Sequence, residues 1–291
     1  MAWTVALLAN PRAGRGRGAR IAGPVREALT RAGMDVLVLA GESGAESTAL
    51  AADAVAQGIE AVVAVGGDGL VHCALQAVAG TGVPLGIVPA GGGNDLAGEL
   101  GLPVDPRAAV AVIAAGRSRE VDLGRTAKGQ WWGGVLNAGF DSQVVARAER
   151  MRRPRGPFRY DLAAYLEIVN LRPHRMRITL DGVSTSQLVT LVAVGNSPRY
   201  GGGMRIAPDA DLDDGVFDVV VAEAMPRRTL ARLKPLVRAG THVRHAQVSV
   251  HRAASVTLES DDLPAYADGE PIGVLPVTTT CVRRALRVLV P

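Results

Sequence analysis

Through the first 125 residues, the apolar positions alternate between two textures. Val5 to Ala9, Asp35 to Ala40, Ala61 to Val65 and Leu85 to Val88 are short runs of aliphatic and β-branched residues, the pattern of strands buried on both faces. Between them, Ala19 to Ala32, Glu46 to Gln57 and Leu70 to Ala79 carry apolar residues at helical spacing. Strand and helix in alternation predict a parallel sheet covered on both sides. After about Gly124 the texture changes. WWGGVLNAGF, RMRITLDG, QLVTLVAVGN, VFDVVVAEA, QVSVHRA, ASVTLES and LPAYADGEPIG predict short strands between Gly, Asp and Asn turns, a β-sandwich. Helical spacing interrupts it only over Tyr160 to Leu171 and Arg227 to Ala239.

Two of the predicted strands end in glycine-rich turns that each carry an aspartate, GGDG at Gly66 to Gly69 and PAGGGND at Pro89 to Asp95. Glycines at a strand-to-helix turn let the backbone approach a phosphate, while the helix start offers outward amides and a favourable dipole. Asp68 is out of place there unless a cation intervenes, because a bare carboxylate repels phosphate. The turn therefore reads as a nucleotide phosphate site with Mg²⁺ held by carboxylate, water and phosphate. Alone, an Asp-Gly pair is an ordinary turn; with Asp95 on the neighbouring turn, the two face one crevice at the strand ends. Neither turn has the GK[ST] of a P-loop or the GxGxxG dinucleotide fingerprint.

Composition sets outer bounds. A chain of 291 residues, 48% of them apolar, accommodates two domains. No apolar run approaches the roughly 18 residues of a membrane span, and MAWTVALLANPRAG reads as a first strand with no signal-peptide character. Cys73 and Cys281 lack metal-ligand spacing, and a reducing cytoplasm is the simpler expectation. Charge is uneven: the segment from Arg147 to Arg159 holds six arginines against one glutamate, more than the chain's formal +4. It reads as a solvated loop, an anionic-membrane contact or a nucleic-acid contact. Phe158 and Tyr160 suit a membrane interface, whereas no nucleic-acid module is recognisable, so nucleic acid is not expected as a partner.

Six motifs in order carry a family resemblance: NPRAGRG from Asn10, GGDGL from Gly66, PAGGGNDLA from Pro89, NAGFDSQV from Asn137, NSPRYGGGMRIAPDADLDDGVFDVVV from Asn196 and ADGEPIG from Ala267. Together they resemble the diacylglycerol kinase catalytic family, with sphingosine and ceramide kinases as relatives. The resemblance implies an α/β nucleotide domain over 1–124 and 285–291, a β-sandwich lipid domain over 125–284, and an active site in the cleft between them. It implies ATP and Mg²⁺ as cofactors. Asn10, Pro11, Arg12, Ala13 and Gly14 resemble a first nucleotide-contacting loop. Gly66, Gly67, Asp68, Gly69, Leu70, Val71 and His72 resemble the phosphate turn, with Gly92 and Asn94 on the second turn. Asp68 and Asp95 would hold the Mg²⁺ bridging the phosphates, with Asp122 joining the same polar network.

Glu270 resembles the catalytic base; taken alone it is a surface glutamate after an Asp-Gly turn. DADLDDGVFD resembles a segment that holds a second, structural Mg²⁺ in some bacterial members, through the Asp214 carboxylate and the carbonyls of Asp211 and Val216. Without the resemblance it reads as an Asp-Gly hairpin turn. Two positions depart from the family pattern: Leu70 and Gly92 stand where threonine is usual. Each lost hydroxyl contact costs about 0.5–1.5 kcal/mol, which predicts weaker ATP binding with the chemistry retained. The expectation is a lipid kinase making phosphatidic acid from diacylglycerol, peripheral at the inner membrane face. Alternatives are a kinase for another lipid alcohol such as a sphingoid base, or a nucleotide-binding regulatory protein. The assembly stays open, a homodimer included.

Overall fold

The computed structural model describes residues 3–9, 17–154, 156 and 158–291. The first half runs β1 (Thr4–Ala9), α1 (Arg17–Arg31), β2 (Asp35–Leu39), α2 (Gly44–Ala56), β3 (Ala61–Gly66), α3 (Asp68–Val78), β4 (Leu85–Pro89), α4 (Asp95–Glu99), α5 (Pro106–Ala115) and β5 (Ser118–Thr126). The second half continues with β6 (Trp131–Trp132), β7 (Val135–Gly139), α6 (Phe140–Arg150), α7 (Phe158–Val169), β8 (His174–Leu180), β9 (Val183–Gly195), β10 (Phe217–Glu223) and α8 (Arg227–Ala239). Five strands close it: β11 (Val248–Ala253), β12 (Ser255–Glu259), β13 (Pro264–Ala267), β14 (Glu270–Val274) and β15 (Val277–Leu289). No helix among the described residues is long and apolar enough to cross a membrane.

β2, β1, β3 and β4 lie side by side in parallel. Their strands are buried throughout in β1 after Thr4, β3 and β4, as the continuous apolar runs require when helices cover both faces. One face packs under α2, α3 and α4 through residues such as Leu8, Val62, Leu75 and Leu96; the other packs under α1 and α5 through Leu7, Leu29, Val63 and Ile113. Local signals set helix starts: the Ser43 hydroxyl accepts from the Glu46 amide ahead of α2, and Asp105 accepts from the Ala108 amide ahead of α5 with Pro106 in its first turn. The β3–β4 register puts Gly66 opposite Pro89, so both glycine turns leave the sheet at neighbouring strand ends.

β15 joins the two halves. Its first part pairs antiparallel with β12, β5 pairs antiparallel with it from Thr279 to Leu289, and Val288 pairs in parallel with Leu85 of β4 on its other side. The β5–β15 register shifts between Val282 and Leu286, where Arg284 takes a left-handed φ of 52°. In the second half the strand path β14-β13-β7-β9-β8-β12, with β10 and β11 branching from β9, wraps a core containing the stacked rings of Trp132 and Phe217, 5.0 Å apart and both fully buried. Burying a side chain of that size contributes about 1.5–3 kcal/mol over leaving it exposed. A further apolar cluster, including Phe140, Leu191, Val220, Leu230 and Leu233, packs beneath α6 and α8.

The strand predicted through WWGGVLNAGF ends at Gly139, whose φ is 101°, and Phe140–Arg150 is helical. The Ser142 hydroxyl accepts from the Gly139 amide and donates to its carbonyl, closing the helix start. Arg147 and Arg150 therefore lie on a helix, not in a loop, and Arg147 is paired with Glu167 of α7. Two further helices, α4 and α5, have no counterpart in the sequence reading.

Candidate active site

The two glycine turns pack backbone against backbone. A Cβ on Gly91 would stand 2.5 Å from the Gly67 Cα, and one on Gly67 would stand 2.9 Å from the Gly91 Cα. The Ala90 amide donates to the Gly66 carbonyl at 2.8 Å. Asn94, left-handed at φ 56°, closes the second turn: its Oδ1 accepts from the Gly91 amide at 2.9 Å, and its Nδ2 donates to the Gly91 carbonyl at 3.1 Å. The Asp68 carboxylate reaches across and accepts the Asn94 amide at 2.8 Å and the Asp95 amide at 2.7 Å. This crossing occupies the space beside Gly93, where a Cβ would meet Asp68 Oδ2 at 2.5 Å and Asp95 Oδ2 at 3.5 Å.

Asp95 in turn accepts from Gly202 at 2.9 Å and Gly203 at 2.7 Å, amides of a loop from the second half. That loop is anchored by the Tyr200 hydroxyl donating to Asp141 at 2.6 Å and by Arg199 standing 3.5 Å from Glu99 of α4. Burial raises Asp141, and burial with the Asp141 charge holds the Tyr200 hydroxyl well above its ordinary range. Asp68 is also raised, by burial first and by the Asp95 charge second. Two carboxylates that repel each other in a buried site fit a hard cation shared between them. Mg²⁺ suits a set of one or two carboxylates completed by water and phosphate. Among the described residues, no group of three or more His, Cys, Asp or Glu side chains has metal-binding geometry.

The amides of Gly69, Gly92 and Gly93 donate to no described group, and a Cβ at Gly92 would meet nothing within 4 Å. These are free donors beside the carboxylate pair. Leu70 and Val71 are not: their side chains are buried in the core and their amides donate to the Gly67 carbonyl. The loop Asn10, Pro11, Arg12, Ala13 and Gly14 lies outside the described residues.

Glu270 opens β14 and is exposed. Its Oε1 would stand 3.4 Å from a Cβ at Gly69, which places a carboxylate of the second half over the first turn of α3. Beside it, Asp268 accepts the Gly133 and Gly134 amides at 2.8 Å and 2.7 Å and faces His72 Nδ1 at 3.3 Å. Asp268, Gly202 and Gly203 received no role from the sequence. Their partners lie more than a hundred residues away, and no spacing rule reaches that far.

Asp122 departs from its expected place. Its carboxylate accepts the Gly215 amide through Oδ2 and the Arg284 amide through Oδ1, each at 2.7 Å. It therefore pins the β15 bulge to the 209–218 loop, and no hydrogen bond links it to Asp68 or Asp95. The second cation expected at Asp211, Asp214 and Val216 does not fit either. Asp214 is paired with Arg252, whose Nε stands 3.5 Å from Asp218, and Asp214 Oδ1 accepts the Val216 amide at 3.1 Å. Arg119 lies 2.7 Å from Asp213 and 3.8 Å from Asp211. Two guanidinium groups already supply the positive charge this acidic loop needs.

A parallel α/β half with two facing phosphate-type turns, closed by a strand-rich half that delivers a carboxylate, is the plan of a two-domain phosphotransferase. The chain belongs to the diacylglycerol kinase catalytic domain family: residues 4–126 match that domain, and residues 134–290 match the YegS C-terminal NAD kinase beta sandwich-like domain. A diacylglycerol kinase of Mycobacterium tuberculosis (strain ATCC 25618 / H37Rv) is 42% identical over 99% of this chain and 95% of its own length. A diacylglycerol kinase of Staphylococcus saprophyticus is 27% identical over 98% of this chain and 94% of its own. Among solved structures, a diacylglycerol kinase of Bacillus anthracis str. Sterne superposes with a TM-score of 0.74 at 18% identity, covering 100% of this chain and 97% of that one.

Proposed function

We propose that this chain is an ATP- and Mg²⁺-dependent lipid kinase that transfers the γ-phosphoryl group to the hydroxyl of diacylglycerol, giving phosphatidic acid. The observation that carries the reading is the convergence of Asp68, Asp95 and Glu270 on the two glycine turns, two carboxylates from one half of the chain and one from the other. The free amides of Gly69, Gly92 and Gly93 bind phosphate oxygens, and the glycine turns allow the approach. Asp68 and Asp95 hold Mg²⁺, which when bound neutralises charge on the phosphates. Glu270 accepts the proton of the lipid hydroxyl as its oxygen bonds to the γ-phosphorus and the bond to the ADP oxygen breaks. Residues 1–124 with 285–291 form the nucleotide domain and 125–284 the lipid domain.

The substrate lies in a bilayer, so the enzyme works as a peripheral protein at the inner membrane face. Arg150, Arg152 and Arg153 are exposed where α6 ends, and Phe158 and Tyr165 expose 65% and 64% of their surface on α7. Basic residues that meet anionic headgroups, beside aromatics that suit the interface, support docking through this hairpin. Phosphorylation of a lipid panel in mixed micelles tests the reading. Transfer to diacylglycerol in preference to sphingoid bases supports it, preference for a sphingoid base moves the substrate, and binding of Mg-ATP without turnover on any lipid alcohol overturns the enzyme.

A further inference from the structure

His72 occupies the helix turn that follows Asp68 and is met by the Asp268 carboxylate from the other half of the chain. Its Nδ1 stands 3.3 Å from Asp268 Oδ2, and its Nε2 lies 3.1 Å from the Gln76 amide nitrogen. Gln76 is fixed at both ends of its amide by one residue: Nε2 donates to the Trp131 carbonyl at 2.5 Å, and Oε1 accepts the Trp131 amide at 3.0 Å. The remaining amide hydrogen of Gln76 points to Nε2. A neutral ring with its proton on Nδ1 satisfies both contacts at once, accepting from Gln76 and donating to Asp268.

Asp268 is the corner of the β13–β14 turn, at a left-handed φ of 55°, and Glu270 follows two residues later. The Asp268 carboxylate carries both ties, accepting the Gly133 and Gly134 amides and facing His72 Nδ1 through the same Oδ2 that Gly133 uses, so the turn that delivers Glu270 is fixed to the second half and to α3 at one residue. The carboxylates of Asp268 and Glu270 both act on the ring's charge. Burial lowers the imidazole, and these two carboxylates outweigh it, so His72 sits above its ordinary range.

We propose that His72 is a positioning residue for phosphoryl transfer, donating from Nδ1 to Asp268 so that the turn carrying Glu270 is held against the phosphate turn of α3. The inference rests on the reading of Glu270 as the base, and it takes His72 out of the set of phosphate contacts in which the family pattern placed it. A base displaced by about 1 Å costs on the order of a hundredfold in rate, so the effect belongs in turnover and not in nucleotide affinity.

The test compares His72→Phe, which keeps an aromatic ring and removes the donor, with His72→Asn, whose amide places a donor where Nδ1 stood. Steady-state phosphorylation of diacylglycerol by the full chain in mixed micelles is expected to show kcat down about ten- to hundredfold in His72→Phe, with KM for Mg-ATP within about twofold. His72→Asn is expected to recover most of that loss. If His72→Phe does not fold by thermal denaturation, His72→Ala takes its place with the same expectation. Parent kcat in the donor-free variant, equal impairment of both variants, or a loss confined to KM for Mg-ATP overturns the inference. Glu270→Gln in the same assay separates the two levels: if it loses turnover while His72→Phe keeps the parent kcat, only the positioning role fails. If Glu270→Gln turns over at the parent rate, the base assignment fails and the inference with it.

Discussion

Gly67 and Gly91 meet so closely that a methyl group on Gly91 would stand 2.5 Å from the Gly67 Cα. The relationship is backbone to backbone, so neither partner can rotate a side chain out of the way. It fixes the spacing of the two turns, and through Asn94 and Asp68 it fixes the carboxylate pair as well. Gly91→Ala is expected to lower stability by about 1–3 kcal/mol, the cost of overpacking a filled site. It should also weaken Mg-ATP binding, because one turn must retreat. Denaturant unfolding beside nucleotide titration checks both, and parent-like values in each would mean the turns separate without cost.

Gly92 behaves oppositely. A Cβ there meets nothing within 4 Å, and its backbone is not left-handed. Gly92→Thr therefore fits without strain and restores a hydroxyl next to the free amides. KM for ATP should fall by the equivalent of about 0.5–1.5 kcal/mol while kcat changes little, the pattern of uniform binding. Leu70 offers no matching repair: its side chain is buried in the core against Gly66, and a threonine there would lose apolar burial. Steady-state kinetics over ATP concentration decide the point, and a raised KM in a folded variant would place the phosphates elsewhere.

Much of this was legible in the chain. The buried strands β1, β3 and β4 and the helices between them follow from continuous apolar runs and helical stripes, and the adjacency of the two aspartate turns follows from consecutive strands in a parallel sheet. What escaped was set by distant partners. Asp122, which the family resemblance placed in the phosphate network, has its oxygens taken by Gly215 and Arg284, which the β15 bulge brings back. The Asp209–Asp218 segment, which the family resemblance made a cation loop, finds its counter-charges in Arg119 of β5 and Arg252 of β11. The helix after Gly139 was hidden by the apolar run preceding it.

The arginine-held loop leads to a metal prediction. Arg252 is 60% exposed at its side chain and Asp214 27%, so their pair contributes at most about 1 kcal/mol. Arg252→Gln is expected to lower stability by no more than that while leaving Asp214 without its counter-charge. Mg²⁺ should then raise the thermal unfolding midpoint of the variant more than that of the parent, measured without nucleotide. An equal response in both proteins would show that the loop takes a cation despite Arg252.

Docking through the α6–α7 hairpin has a graded outcome. Each basic residue near an anionic surface contributes about 1 kcal/mol, so replacing Arg150, Arg152 and Arg153 with alanine should cut binding to anionic vesicles at low salt by about a hundredfold. Arg147 is the control, because it is paired with Glu167 and its replacement should act on the contact between α6 and α7 instead. Unchanged co-sedimentation of the triple variant with anionic vesicles would remove this face from the membrane.

The last expectation separates the work of Asp68 from that of Glu270. Asp68 is raised by burial and by Asp95, so its ionised form is unfavourable until a cation stands between the two carboxylates. The sign follows: a carboxylate raised in the folded state favours folding at pH values below its ordinary one, and that contribution is lost as pH rises through the raised value. Mg²⁺ held between the two carboxylates would offset the repulsion at neutral pH. Mg-ATP should therefore raise the unfolding midpoint of the parent, and Asp68→Asn should lose most of that gain together with turnover. Glu270 is exposed and belongs to the other half of the chain, so Glu270→Gln should keep the Mg-ATP stabilisation and lose kcat by about 10²–10⁴-fold, as removal of a general base does. Thermal unfolding with and without Mg-ATP, run beside the lipid phosphorylation assay, reads both quantities on the same proteins. Loss of nucleotide stabilisation in Glu270→Gln, or its retention in Asp68→Asn, would exchange the two roles.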